Sequence, residues 1–177
     1  MGDVYKEQIV KRKSGAKELF LKVLLVLAVI VITVLAFAFL GGFFAPLLLF
    51  GSGFGAFYLM SFLNLEYEYQ LTNADLDIDC IYNRSRRKRI MTVKLKELDF
   101  MAHIDDKSKS NELNNVGAVK DFSSGTPGPD TYVFTVQEKG VKTKVIIEPN
   151  EKMLRAIAGV IPKRKLILRS GLIFIGE

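Results

Sequence analysis

Three carboxylates at alternate positions, Asp75, Asp77 and Asp79, are the densest group in the chain that could do chemistry. Such a set could hold calcium or assist phosphoryl transfer. A calcium loop needs glycine at its sixth position and glutamate at its twelfth, where this sequence has Cys80 and Arg86. Alternate residues of a strand share a face, so the triplet reads as the outer face of a strand. Cys80 is the only cysteine and His103 the only histidine, which leaves no internal disulfide, no cysteine-based zinc site and no histidine cluster. His103 alternates with Leu98, Phe100 and Ala102 and shares a face with Asp99 and Met101, so it is expected at the surface without a triad partner. Gly125-Thr126-Pro127-Gly128-Pro129-Asp130 lacks the Gly-Lys-Ser/Thr ending of a phosphate-binding loop. No catalytic residue, metal ligand or cofactor is expected, and the chain reads as a non-enzyme.

The remaining reactive chemistry is cationic. Arg84, Arg86, Arg87, Lys88 and Arg89 form one run and Lys163, Arg164 and Lys165 another. What they meet depends on the elements that position them. The chain of 177 residues is 49% apolar and 25% charged, but these averages conceal two regions. From Leu19 to Leu65 there is no Asp, Glu, Arg or His, and Lys22 is the only lysine. A helix crosses roughly 30 Å of hydrocarbon with about 20 residues. Residues 19–40 and 43–64 each supply that length, and Gly41-Gly42 with Pro46 provides the only turn chemistry between them. A two-helix transmembrane hairpin is therefore expected over residues 19–64. The run is far longer than the apolar core of a cleaved signal. Lys6, Lys11, Arg12, Lys13, Lys17 and Lys22 precede or open the first helix, the arginine run follows the second, and the connection is uncharged. By the positive-inside rule both termini should be cytoplasmic.

After Leu65 the pattern becomes alternating. Tyr67, Tyr69 and Leu71 fall on one face of a strand, and Leu76, Ile78 and Cys80 on one face of the next. Further strands are expected at about 88–94, 98–104, 118–122, 132–137 and 142–148, separated by Gly, Pro and Asn-rich breaks. From Asn150, a candidate cap, the spacing of Met153, Leu154, Ile157, Ala158 and Ile161 predicts a helix that Pro162 ends. The expected division is a basic segment at 1–18, the hairpin, a β domain at 66–162 and a basic and apolar tail at 163–177. That β domain is long enough to bury about two-thirds of its unfolded surface.

Seven short strands closed by a helix resemble the pleckstrin-homology-like (PH-like) superfold. Tyr67-x-Tyr69-x-Leu71-Thr72-Asn73, directly after paired apolar helices, is similar to bacterial membrane proteins that carry such a domain. With Val10-Lys11-Arg12-Lys13 ahead of the hairpin, the whole chain resembles a family of clostridial-type, Gram-positive membrane proteins. The resemblance implies an α+β membrane protein: the hairpin, then a seven-stranded antiparallel barrel or sandwich with a C-terminal capping helix. It brings no catalytic residues.

The first strand of that domain starts within a few residues of the second helix, so its proximal turns should face the membrane. Arg84, Arg86, Arg87, Lys88, Arg89, Lys163, Arg164 and Lys165 are expected to converge there on anionic headgroups, each gaining about 1 kcal/mol. Tethering makes lipid a nearer polyanion than nucleic acid, which is not expected as a partner. Gly51, Ser52, Gly55 and Ala56 have the small-xxx-small spacing of packed membrane helices. They would pack on the chain's own first helix or serve as a homo-oligomer seam. The expected task is that of a membrane-anchored interaction module for a protein, peptide or anionic lipid. The alternative is an accessory or oligomeric subunit of a transport or channel complex.

Overall fold

The computed structural model describes residues 5–13, 15–106, 108 and 110–167. They form two compact units. One unit comprises the N-terminal residues to Lys13, Glu66–Ile81 and the chain from Arg87 onward; the other is Ser14–Leu65 with Tyr82–Arg86.

The first unit is an α+β domain of two sheets. The strands β1 (Tyr5–Lys11), β2 (Leu65–Thr72), β3 (Asp75–Tyr82) and β4 (Arg86–Lys94) pair in sequence order. A 3-10 turn at Leu95–Glu97 leads to the second sheet, with strands β5 (Met101–His103), β6 (Ala118–Asp121), β7 (Tyr132–Glu138), β8 (Val141–Ile147) and β9 (Leu166–Ile167). Its order is β6-β8-β7-β5-β9. The expectation of seven antiparallel strands closing a barrel needs correction. There are nine strands among the described residues, in two sheets that stay separate, and β6 on β8 and β9 on β5 run parallel. The strand expected at 98–104 shortens to β5 because the chain first turns at Leu95–Glu97. Of the 163–177 tail, Lys163–Lys165 form a 3-10 turn and Leu166–Ile167 form β9; residues 168–177 lie outside the described residues.

The larger correction concerns the N-terminus. Residues 1–18 are not a separate basic segment, since β1 pairs with β2 along its whole length, from Tyr5 opposite Thr72 to Lys11 opposite Glu66. The two apolar helices are thus an insertion between adjacent antiparallel strands, not an anchor preceding a complete domain. The Gln8 side chain ties β1 to the far end of the chain, donating to Glu148 O (2.9 Å) and accepting from Asn150 N (2.8 Å).

The core is built from the faces that alternation predicts. Tyr69, Leu71, Leu76 and Ile78 of the first sheet are fully buried, as are Tyr132, Phe134 and Ile147 of the second. Burying such side chains contributes about 1.5–3 kcal/mol each. Tyr69 also carries a polar tip inside, donating to Phe122 O (2.6 Å) and accepting from Glu148 N (3.2 Å). A short helix, α2 (Ser110–Asn114), precedes β6. The last helix, α3 (Glu151–Val160), buries Met153, Leu154 and Ile157. Asn150 caps it, accepting from Met153 N at 2.8 Å. Pro162 follows at the point where the helix stops.

In the second unit, helical backbone runs over α1 (Ala16–Ser61) in two limbs, Ala16–Leu40 and Gly42–Ser61. Both limbs are long and apolar enough to cross a membrane. A straight helix from Lys22 to Asn64 would be about 60 Å long, yet Lys22 Nζ lies 3.4 Å from Asn64 Oδ1. The chain therefore doubles back, with the expected Gly41-Gly42 at the junction of the limbs. Pro46 lies one turn after the reversal, where the carbonyl it leaves without a helical donor is that of Gly42. Ala36 and Ala45 are buried, while Phe39, Phe43, Phe50 and Phe54 are strongly exposed. The hydroxyls of Thr33, Ser52 and Ser61 bond carbonyls three or four residues back, so none of them presents an unsatisfied donor to an apolar surround.

Candidate functional site at the β3–β4 turn

Tyr82-Asn83-Arg84-Ser85 joins β3 to β4. Ser85 N donates to Tyr82 O (3.1 Å), and both central residues have positive φ, 46° at Asn83 and 55° at Arg84. This is a primed hairpin turn, whose twist matches that of the strands and whose second central position favours glycine. Asn83 tolerates that conformation, but a left-handed L-residue such as Arg84 costs about 1–2 kcal/mol. The β7–β8 hairpin shows the ordinary solution, with Lys139 followed by Gly140 at φ values of 51° and 83°.

The turn belongs to the helical unit. Asn83 N donates to Asn64 O (2.9 Å), just beyond the second limb. The Tyr82 ring meets Phe62 edge-on at 6.5 Å, and Phe62 in turn meets Tyr58 at 5.0 Å. Asn64 also accepts from Lys22 of the first limb. Lys22, Arg84 and Arg86 therefore gather at the open end of the hairpin. Asn64, Phe62 and Tyr82 were not singled out from sequence. Asn64 was legible only as the first polar residue after the apolar run.

Arg87 and Arg89 behave differently. Arg87 closes to 2.5 Å from Glu68 Oε2 without a hydrogen-bonding angle and approaches Asp79 at 4.0 Å, so its contacts are coulombic rather than directional. Arg89 donates to Asp79 Oδ1 at 3.0 Å and pairs with Asp77 at 2.9 Å. Asp77 further accepts from the Thr92 hydroxyl (2.5 Å). Glu68 and Asp79 are buried. Asp77 and Asp79 of the expected outer strand face thus meet Arg87 and Arg89 of the run, and Asp79 is itself buried. Lys88 is exposed.

The second basic cluster is elsewhere. Lys165 Nζ donates to Leu98 O (2.6 Å). Leu98 lies three residues beyond Leu95, whose N–H bonds Ala74 O at the β2–β3 turn. Arg87 is about 23 Å back along β4 from Lys94, at 3.3 Å per residue. Within the sheet domain, Lys165 thus lies toward the opposite end of β4 from Arg87. Arg164 is exposed, and the Lys163 side chain is outside the described residues.

At the other expected positions, a Cβ added to Gly51 or Gly55 would meet nothing within 4 Å. The glycines therefore do not serve close packing on the chain's own first limb, contrary to that expectation. Ser52 and Ala56 are half-buried. His103 is buried, not a surface residue, because the Tyr132 ring and the Pro129 segment cover its face of β5. Its Nε2 bonds Pro129 O (3.0 Å), its Nδ1 accepts from Asp105 N (3.3 Å), and its ring stands edge-on to Tyr132 at 5.3 Å. Near Lys11, the Tyr67 hydroxyl accepts from Arg12 (3.0 Å); burial raises its pKa, partly offset by that guanidinium. Burial likewise pushes the Tyr69 phenol well above the ordinary value.

Comparison with known proteins gave no match among curated proteins and none among solved structures. A family model described as a bacterial PH-like domain, DUF6106, matches residues 2–167. That span takes in β1, the apolar hairpin and both sheets, so the inserted hairpin lies within the family's own extent, and the chain belongs to this bacterial PH-like domain family.

Proposed function

We propose that the chain is a membrane-anchored, non-enzymatic module whose hairpin crosses the cytoplasmic membrane and whose PH-like domain works at its inner surface, in contact with anionic lipid and open to a protein or peptide partner. The observation that carries this reading is the insertion of the hairpin between paired strands. Lys11 and Glu66 are opposite one another in the sheet, so the chain enters and leaves the hairpin within a few ångströms. Both ends then lie on one side of any bilayer the hairpin spans. The cations at those ends, against an uncharged connection, make that side the cytoplasm.

The non-enzymatic reading is supported by how the candidate reactive groups are engaged. Both His103 nitrogens bond backbone groups, and Asp77 and Asp79 of β3 pair with Arg89. The self-bonded hydroxyls of the hairpin count against a polar path through it, and so against a transport subunit.

The test is topology in intact cells. In a Cys80→Ser background, cysteine at Gly42 is expected to react with a membrane-impermeant maleimide from outside. Cysteine at exposed Lys152 should react only after permeabilisation. Labelling of both positions from the same side would overturn the proposal.

A further inference from the structure

The second limb, Gly42–Ser61, has 20 residues, a helix of about 30 Å. That length matches the roughly 30 Å of bilayer hydrocarbon. Phe62, Leu63 and Asn64 then leave the hydrocarbon on the side away from the reversal. The first limb gives the same level independently. From Leu40 back to Lys22 is about 28 Å of helix, and Lys22 carries the only charge between Leu19 and Leu65. Its Nζ meets Asn64 Oδ1 at 3.4 Å. A lysine ammonium belongs at the edge of the hydrocarbon rather than within it, so Lys22 and Asn64 mark one boundary. Asn83 N donates to Asn64 O (2.9 Å), which puts the centre of the β3–β4 turn one hydrogen bond from that boundary. The Tyr82 ring continues the contact, edge-on to Phe62 at 6.5 Å, with Tyr58 against Phe62 at 5.0 Å. Aromatic rows of this kind suit the level where hydrocarbon gives way to headgroups. The turn also suits a layer poor in water. The Asn83 and Ser85 N–H groups are both bonded, to Asn64 O and Tyr82 O, so neither needs hydration.

We infer that the β3–β4 turn, Tyr82–Arg86, is seated in the phospholipid headgroup layer of the bilayer that the hairpin crosses, and that depth rather than charge puts it there. This placement rests on the hairpin crossing that bilayer. It adds a third point of the chain at the lipid, besides the two crossings at Lys22 and Asn64. The headgroup layer is about 5–7 Å thick on each side, so a turn bonded to Asn64 falls within it. The partner is the glycerophospholipid interface itself. Its ester carbonyls and phosphates face the polar groups of the turn, and its glycerol and first methylenes face the Tyr82 ring. The net charge of the lipid does not set this position, because the bond that sets it is Asn83 N to Asn64 O.

Cys80 is the only cysteine, so Cys80→Ser with Ser85→Cys gives a single attachment point for a fluorescent label at an exposed position of the turn. The full-length variant would be reconstituted in phosphatidylcholine vesicles carrying a spin label either at the headgroup or low on the acyl chain. Comparing the two quenchers should place the Ser85→Cys label about 15–22 Å from the bilayer centre. The same label at exposed Phe54 (Phe54→Cys) should lie well inside the hydrocarbon. The Ser85→Cys depth should stay the same when phosphatidylglycerol replaces part of the phosphatidylcholine, and in about 1 M salt, where charge attraction is screened. Arg86→Cys should read the same layer, and it decides alone if Ser85→Cys disturbs the turn. Quenching at Phe54→Cys by the deep label, with both turn labels reached only by aqueous iodide, would overturn the seating of the turn while leaving the crossing hairpin standing. Headgroup quenching that needs phosphatidylglycerol and fades in salt would overturn it too, since charge would then set the contact. A Phe54→Cys label untouched by the deep quencher would overturn the crossing and the seating together.

Discussion

Arg87 reaches across the first sheet to Glu68 and Asp79, whereas Arg86 beside it is exposed and has no such ion pair among the described residues. Removing the first cation strands a carboxylate that is 2% exposed; removing the second strands nothing. Arg87→Gln is therefore expected to lower unfolding stability by about 1–3 kcal/mol in urea titrations, the value kept modest because Arg87 itself is half-exposed. Arg86→Gln should change it by less than about 0.5 kcal/mol. Equal losses would mean that the ladder does not hold the face. Tyr69 gives a pH-dependent signature. Its pKa is raised in the folded state by burial, so above about pH 10 the unfolded chain ionises while the folded one does not. The unfolded state then binds fewer protons, and stability present below that pH is lost as pH rises. Tyr69→Phe should lose about 1–2 kcal/mol at neutral pH with its two hydrogen bonds and decline less steeply than the parent above pH 10. Parallel declines would contradict the assignment.

Among the elements, those with a clear period were legible in the sequence. The alternation of Tyr67, Tyr69 and Leu71 gave β2, and the cap, spacing and stop signals of 150–162 gave α3. The reversal at Gly41-Gly42 was legible because nothing else in the apolar run could turn. β1 was not. Only Val10 of its seven residues is buried, so its hydrophobic period is faint and its lysines read as topology signals. Its pairing with β2 spans more than fifty residues, a relation that local patterning does not encode. β9 was hidden for a related reason, since an apolar two-residue strand cannot be told from a tail. His103 was misplaced because alternation assigns one solvent face, whereas all three residues of β5 are buried and the His103 face is covered by Tyr132 and the Pro129 segment. The basic turn itself was visible, but the pairing of Arg87 and Arg89 with Glu68, Asp77 and Asp79 required the fold. If β1 is integral, Gln8→Ala should destabilise the domain by about 1–2 kcal/mol through two long-range hydrogen bonds. A change within about 0.3 kcal/mol would show β1 to be dispensable.

At the scale of the whole molecule, the arrangement is a domain interrupted by an apolar helical hairpin. The family match over 2–167 spans the interruption. The connection between β1 and β2 could in principle be a tight turn, and here it is a helical excursion long and apolar enough to cross a membrane. Cutting the chain after the hairpin, at residue 66, would discard β1 and its ties to Glu148 and Asn150. An engineered variant would instead keep residues 1–13 and join them to Leu65 by a short Asn-Gly turn in place of residues 14–64. Comparing that variant with the full chain measures the central claim most directly. The full chain should resist alkaline extraction from membranes, while the variant should stay in the supernatant and unfold cooperatively with near-ultraviolet dichroism from its buried tyrosines. A variant that is unfolded or aggregated, or a full chain that alkali releases, would contradict the account.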